Sequence, residues 1–244
     1  MRRIAVTVEY MGTAYCGWQR QKNGLSVQQA MADAFFKLTG EKVTLHGSGR
    51  TDAGVHALGQ VVHFDTNTTI PAHKLPFAWN TVLPNDIRVL DAKEVDENFH
   101  ARFCVKRKTY QYRFYFSPHA SALRKDFACH FTQEENFEEM KKAAKHFEGT
   151  FDFKGFQATG GHVKTTVRTI YSATLEKEGN EYVFEVCGNG FLYNMVRIIA
   201  GTIVYVGIGK LKADDIPDVI ASGDRKRAGK TLPAYGLYLK KAEY

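Results

Sequence analysis

Val43-Thr44-Leu45-His46, then Gly47-Ser48-Gly49-Arg50-Thr51-Asp52-Ala53-Gly54-Val55-His56-Ala57, then Gln60-Val61-Val62-His63-Phe64-Asp65 form one continuous reading. The outer two are short runs built on apolar residues and read as strands. The middle one connects them. Its three glycines let the backbone take positive φ and approach a ligand closely. A connection that only reversed the chain would usually be shorter and would not need this much special backbone. The loop carries one cation, Arg50, and one carboxylate, Asp52. A long glycine-rich connection with solvated charges is the plain alternative, and residue types alone leave both open.

Working outward, the elements on either side complete a pattern. Ile4, Val6, Val8 and Tyr10 alternate with Ala5, Thr7 and Glu9 as a half-buried strand, and residues 12–24 form a polar loop. Ser26 with Gln29 starts a helix through a capping box, and Gly40 stops it. Val27, Ala30, Met31, Ala34, Phe35 and Leu38 share its apolar face, so the Met and Phe belong to the core. After the two strands at 43–46 and 60–65, Pro71 opens a second helix closed by Pro84, with Pro76 in its first turns. Residues 87–95 make a fourth strand, giving the order β-α-β-β-α-β.

The second half repeats that order. Tyr110, Tyr112, Phe114 and Phe116 alternate along a strand, and a loop rich in His, Arg and Lys (119–130) follows. Phe137, Met140, Ala144 and Phe147 mark an amphipathic helix ending at Gly149. Residues 165–177 and 181–187 form a hairpin across Glu178-Gly179-Asn180. A long apolar helix covers 191–205, a shorter one 213–221, and a last strand 236–241. Both halves fit the split βαβ, ferredoxin-like pattern, an α+β fold with antiparallel sheets and helices on one face. The expected domains are 1–104 and 105–244. No sequence repeat accompanies this; the duplication follows from element order.

Composition narrows the function classes. Of 244 residues 44% are hydrophobic, enough for a core without disulfides. No run of about 18 apolar residues is present to span a membrane, and the N-terminus lacks a signal-peptide pattern. Cys16, Cys104, Cys129 and Cys187 are isolated, with no C-x-x-C pair, which fits reduced thiols in the cytoplasm. The net charge of +7 is unevenly shared: residues 1–104 hold 11 Lys and Arg against 10 Asp and Glu, residues 105–244 hold 22 against 16. The excess clusters at Lys106-Arg107-Lys108, at Arg225-Lys226-Arg227 with Lys230, and at Lys240-Lys241. Such clusters suit a polyanion, although many basic faces are only solvated.

A few residues can carry chemistry. Asp52 could serve as a nucleophile or base kept ionised by Arg50, or the two could be a surface pair of little consequence. His46, His56 and His63 match no zinc spacing, so no metal is expected. Lys106-Arg107-Lys108-Thr109-Tyr110-Gln111-Tyr112 interleaves cations with aromatics, as proteins do to clamp phosphates and stack unpaired bases. An edge strand with core aromatics and protective lysines fits equally well. Arg197, inside an apolar helix, needs an acidic partner, either a structural glutamate or a catalytic carboxylate.

The 47–57 loop with Gly59-Gln60-Val61 and His63-Phe64 resembles the signature of the TruA-type tRNA pseudouridine synthases. The resemblance continues through Tyr10, Gly12-Thr13, Tyr15, Gly17-Trp18-Gln19, Ser26-Val27-Gln28, Leu83-Pro84 and Phe99-His100-Ala101-Arg102. It goes on through Lys108-x-Tyr110-x-Tyr112, residues 149–153, Gly190 to Arg197, and Pro233-Ala234-x-Gly236-Leu237. Phe151 departs from the family's usual His, and Leu232 from its common Ala. The resemblance implies isomerisation of uridine to pseudouridine at tRNA positions 38, 39 and 40 in the anticodon arm, without cofactor or metal. It implies an RNA-binding cleft between the domains and a homodimer whose one tRNA touches both subunits. By motif, Asp52 is the catalytic carboxylate, Arg50 lies beside it, Arg197 should pair with it, and Tyr110 packs on the target base. Lys106, Arg107 and Lys108 are the accompanying substrate-binding cations. Two other classes remain. A non-catalytic RNA-binding module would use the same scaffold. A phosphate-binding protein is disfavoured because the loop precedes a strand and not a helix N-terminus.

Overall fold

Alternating apolar residues place β1 (Arg2–Tyr10) at the centre of the first sheet in a computed structural model that describes residues 1–161 and 163–244. β1 runs antiparallel to β3 (His56–Thr66), with Ile4 opposite Phe64 and Val6 opposite Val62. On its other side β1 runs antiparallel to β4 (Ile87–Val95). By internal contacts the chain divides into two units, residues 1–106 with 238–244, and residues 107–237.

In the first unit, α1 (Val27–Thr39) begins where the Ser26 hydroxyl accepts the Gln29 amide at 3.2 Å, satisfying one of the helix's orphan donors. It ends at Gly40, whose φ of +73° no β-carbon obstructs. Val27, Met31 and Phe35 are fully buried, and Phe35 meets Phe64 and Trp79 edge to face. The second helix is shorter than expected: a 3₁₀ turn at Ala72–Lys74 leads into α2 (Leu75–Asn80). Pro76 lies in its first turn, where no amide donor is needed. The Asn80 amide then bonds both backbone groups of Val89 in β4, which fixes the helix end to the sheet.

Two expectations change at the loop. The strand expected over 43–46 reduces to β2 (His46–Gly47), and β3 starts at His56, four residues ahead of Gln60. β2 takes only His63 and Val62 of β3. The start of β3 receives β10 (Leu237–Glu243), which runs parallel to it through Tyr238–His56 and Leu239–Ala57. The last strand, read with the second half, thus extends the first unit's sheet. Gly59 makes the approach possible, because a β-carbon there would stand 2.6 Å from the Lys240 carbonyl oxygen.

The second unit orders its antiparallel strands as β5 (Arg107–Phe116), β9 (Glu181–Gly188), β8 (Val167–Glu178) and β7 (Gly149–Asp152). A short β6 (Cys129–Phe131) runs parallel to β5, so neither sheet is purely antiparallel. β6 and β7 escaped the sequence reading because each is too short to show alternation, and β7 is largely exposed. Tyr112, Phe114, Leu175 and Phe184 fill the core beneath α3 (Phe137–Lys145) and α4 (Met195–Gly207). The helix expected over 191–205 begins at Met195 instead, because Asn194 takes a left-handed φ of +60° and breaks the preceding turn. α5 (Ile216–Ser222) closes the helical face, entered through a 3₁₀ turn at Ala213–Asp215.

Candidate active site

Asp52 lies in the loop between β2 and β3, half-buried, beside an exposed Arg50. The loop owes its shape to segment 12–18, which lies against it backbone to backbone. The Trp18 amide donates to the Thr51 carbonyl at 3.0 Å, and the Val55 amide returns to the Asp52 carbonyl at 3.1 Å. Gly54 sits at φ +78° in that turn. A β-carbon at Gly17 would stand 2.6 Å from the Thr51 oxygen, and one at Gly12 would stand 2.0 Å from the Val55 oxygen. Both glycines are therefore required by close approach, and Gly17 also by its φ of +99°.

Buried polar side chains complete the support. The Tyr10 hydroxyl and Thr51 Oγ1 are 2.7 Å apart and out of solvent. Gln60 Oε1 accepts both the amide and the hydroxyl of Ser48, while its Nε2 donates to the Gly49 carbonyl at 2.8 Å. The Gly12 amide donates to His56 Nδ1 at 3.0 Å, and the His56 ring stacks on Tyr238 at 4.7 Å. Burial, foremost, pushes the Tyr10 phenol up to about 12, against hydrogen bonds from Thr51 and Gln60 that work the other way. The phenol stays protonated near neutrality. None of Tyr10, Ser48, Thr51, His56 or Gln60 has a supporting role legible in the sequence alone. The available signal is a tyrosine closing an apolar strand, which as a phenylalanine would need no partner.

The remaining predicted residues lie in the second unit or at its border. Lys106 precedes β5 and is exposed, with its amide on the Glu243 carbonyl. Arg107 is exposed on β5 with its guanidinium 4.7 Å over the Tyr171 ring, and Lys108 is half-buried. β5 pairs antiparallel with β9 throughout residues 108–114 and parallel with β6 at residues 114–116. Tyr110 is half-buried and meets Phe191 edge to face at 5.2 Å. Arg197, on the first turn of α4, donates to Asn194 Oδ1 at 2.7 Å and to the Leu232 carbonyl at 2.6 Å. The structure thus brings Arg50 and Asp52 into one loop, and Arg107, Lys108 and Tyr110 onto one strand.

Two basic or histidine-rich features prove structural. Arg225, counted in the basic cluster, turns inward to the Gly229 carbonyl and Thr231 Oγ1, whereas Lys226 is exposed. His46 stacks on His63, and His100 meets both at steeper angles, with ring centroids 4.5–5.4 Å apart. His63 is buried and its Nδ1 accepts the Ala101 amide. Burial first, then the neighbouring His100, His46 and Arg3, depresses it to about 4. Among the described residues, no group of three or more His, Cys, Asp or Glu could hold a metal ion.

A family model described as "tRNA pseudouridine synthase" matches residues 6–104 and 143–244. The tRNA pseudouridine synthase A of Ruminiclostridium cellulolyticum is 54% identical over 245 residues, covering 100% of both chains. Those of Thermoanaerobacter sp. and Acetivibrio thermocellus are each 50% identical, again over 100% of both chains. A chain from the crystal structure of a Cbf5-Nop10-Gar1 complex is far more distant, with TM-score 0.40 and 14% identity over 83% of this chain and 44% of that one. With matches of this length and identity, the chain belongs to the tRNA pseudouridine synthase family, isomerases that convert uridines of tRNA to pseudouridine.

Proposed function

We propose that this chain isomerises uridines 38, 39 and 40 in the anticodon arm of tRNA, with Asp52 as the catalytic carboxylate. The reaction breaks the bond from uracil N1 to ribose C1′, turns the base, and joins C5 to C1′. The hydrogen on C5 leaves as a proton and the freed N1 takes one up, so atoms balance without oxidant, reductant or cofactor. The observation that carries the reading is the rigid presentation of the one carboxylate in the 47–57 loop, held by glycine contacts and buried hydrogen bonds. A group fixed before the substrate arrives does not have to be organised during the reaction. Tyr110, steadied by Phe191, is the surface for the target base; base–aromatic stacking is worth about 1–3 kcal/mol. Arg50 and Arg197 are the cations of the reaction, and Lys106, Arg107 and Lys108 bind phosphate. The base must leave its stack to react, which costs a few kcal/mol that phosphate contacts offset. The working form is a cytoplasmic homodimer with one tRNA touching both subunits; no helix of the described residues is long and apolar enough to cross a membrane.

Single-turnover tritium release from tRNA labelled at uridine C5, beside filter binding of the same tRNA, tests the assignment. Asp52→Asn should bind tRNA and release no tritium above background. Release near the normal rate would sink the catalytic role. Loss of binding as well would make the loop an RNA-docking element and not a catalytic one.

A further inference from the structure

We infer that the buried Tyr10 hydroxyl is a positioning group for Asp52, acting through the Thr51 side chain. This rests on the reading of Asp52 as catalytic carboxylate. Tyr10 closes β1 and is 2% exposed, packed 6.2 Å from the Trp18 ring. A phenylalanine would fill that place without the cost of burying a hydroxyl. The hydroxyl instead meets Thr51 Oγ1 at 2.7 Å, a side chain directly before Asp52 in the chain.

The geometry makes Thr51 the point through which the catalytic residue is held. Its carbonyl is taken by the Trp18 amide, and the next carbonyl, that of Asp52, by the Val55 amide. Gly17 lets segment 12–18 come within contact of the Thr51 oxygen and the Asp52 carbonyl carbon. These bonds fix the peptide planes on either side of the Asp52 α-carbon. The Tyr10 bond adds a fixed side chain one residue earlier and ties it to the end of β1. Gln60 holds residues 48 and 49, so buried side chains secure the loop both before and at Thr51. With its proton retained near neutrality, the phenol serves as a hydrogen-bonding anchor and not as an acid or base. Misplacement of a reacting group by about 1 Å can cost a hundredfold in rate.

The test is a cycle in the full-length enzyme with tRNA labelled at uridine C5. Tyr10→Phe and Thr51→Val each remove one partner of the bond while keeping shape; Thr51→Ser keeps the hydroxyl. We expect each of the first two to slow single-turnover tritium release at least tenfold, with tRNA affinity within twofold of normal. Thr51→Ser should stay within about threefold of normal, and the double variant Tyr10→Phe with Thr51→Val should be no slower than the slower single one. A Tyr10→Phe enzyme at the normal rate, or rate losses that multiply in the double variant, would overturn the inference. If Tyr10→Phe fails to fold, the contrast between Thr51→Ser and Thr51→Val decides alone: equal rates overturn it, a tenfold gap at equal affinity supports it. Asp52→Asn run in parallel separates the two levels. An active Asp52→Asn removes the basis of both; an inactive one beside a normal Tyr10→Phe removes only the positioning role.

Discussion

Two stretches, residues 48–55 in the first unit and 224–233 in the second, are each pressed onto neighbouring backbone by contacts that only glycine permits. In the first, Gly12 and Gly17 admit the Val55 and Thr51 carbonyls, and neutral groups (Tyr10, Thr51, Gln60, Ser48) tie the backbone down. In the second, Gly201 of α4 admits the Lys230 carbonyl and Gly229 lies against Gly201. There cations join the neutral ties. Arg225 holds the Gly229 carbonyl and Thr231, and Arg197 holds the Leu232 carbonyl. The contrast shows that a charge in a basic run is no guide to its use. Arg225 commits its guanidinium to its own segment, while Tyr10, Thr51, Gln60 and Ser48 brace the loop of the proposed catalytic charge through neutral hydrogen bonds.

The glycine contacts should give the largest effects. A β-carbon at Gly201 would stand 1.9 Å from the Lys230 carbonyl oxygen, and one at Gly12 would stand 2.0 Å from that of Val55. Both neighbours are backbone and cannot rotate away. Gly201→Ala and Gly12→Ala should each cost about 3 kcal/mol, measured as a lower denaturation midpoint. A cost below about 1 kcal/mol at either site would show that its segment yields and is not clamped.

A second test separates the units by pH. His63, in the first unit, is held near 4 when folded against about 6.5 unfolded, so the unfolded chain takes up its proton first. Its contribution is complete above about pH 6.5 and fades as pH falls toward 4. At pH 5 the loss should be about 2 kcal/mol relative to pH 7.5. His63→Gln keeps an acceptor for the Ala101 amide and does not titrate, so its stability should change less over that range. An equal pH dependence in both proteins would place the sensitivity elsewhere.

How far the sequence carries follows from the same contrast. Strands such as β1 and β4 and the α1 caps are legible because alternation and capping are local signals. The Asp52 loop stands out because glycine density needs no tertiary knowledge. What stays hidden is relational. The parallel docking of β10 on β3 depends on an edge left open by a two-residue β2. The break at Asn194 follows from a left-handed backbone angle that its neighbours do not announce. Tyr10 and Thr51 are separated by 41 residues, so nothing short of the fold joins them.

The smallest effects should divide the basic cluster itself. Lys226 and Arg227 are exposed; Arg227 reaches the Asp218 carbonyl at 3.3 Å, a longer bond than the 2.8 Å from Arg225 to the Gly229 carbonyl. Arg225→Ala removes hydrogen bonds to a buried loop and should lower stability by about 1–2 kcal/mol. It should leave the salt dependence of tRNA binding nearly as it was, since a guanidinium engaged with its own chain releases few counterions on binding. Lys226→Ala with Arg227→Ala should do the reverse. Stability should hold within about 0.5 kcal/mol, and the log–log salt slope should flatten by roughly 0.9 for each duplex phosphate that is no longer neutralised. Filter binding from low to moderate salt, beside denaturant unfolding of the same preparations, reads both quantities. If Arg225→Ala flattens the slope as much as the exposed pair does, its inward bonds are exchanged for phosphate when tRNA binds, and the second stretch is a binding element and not only a brace.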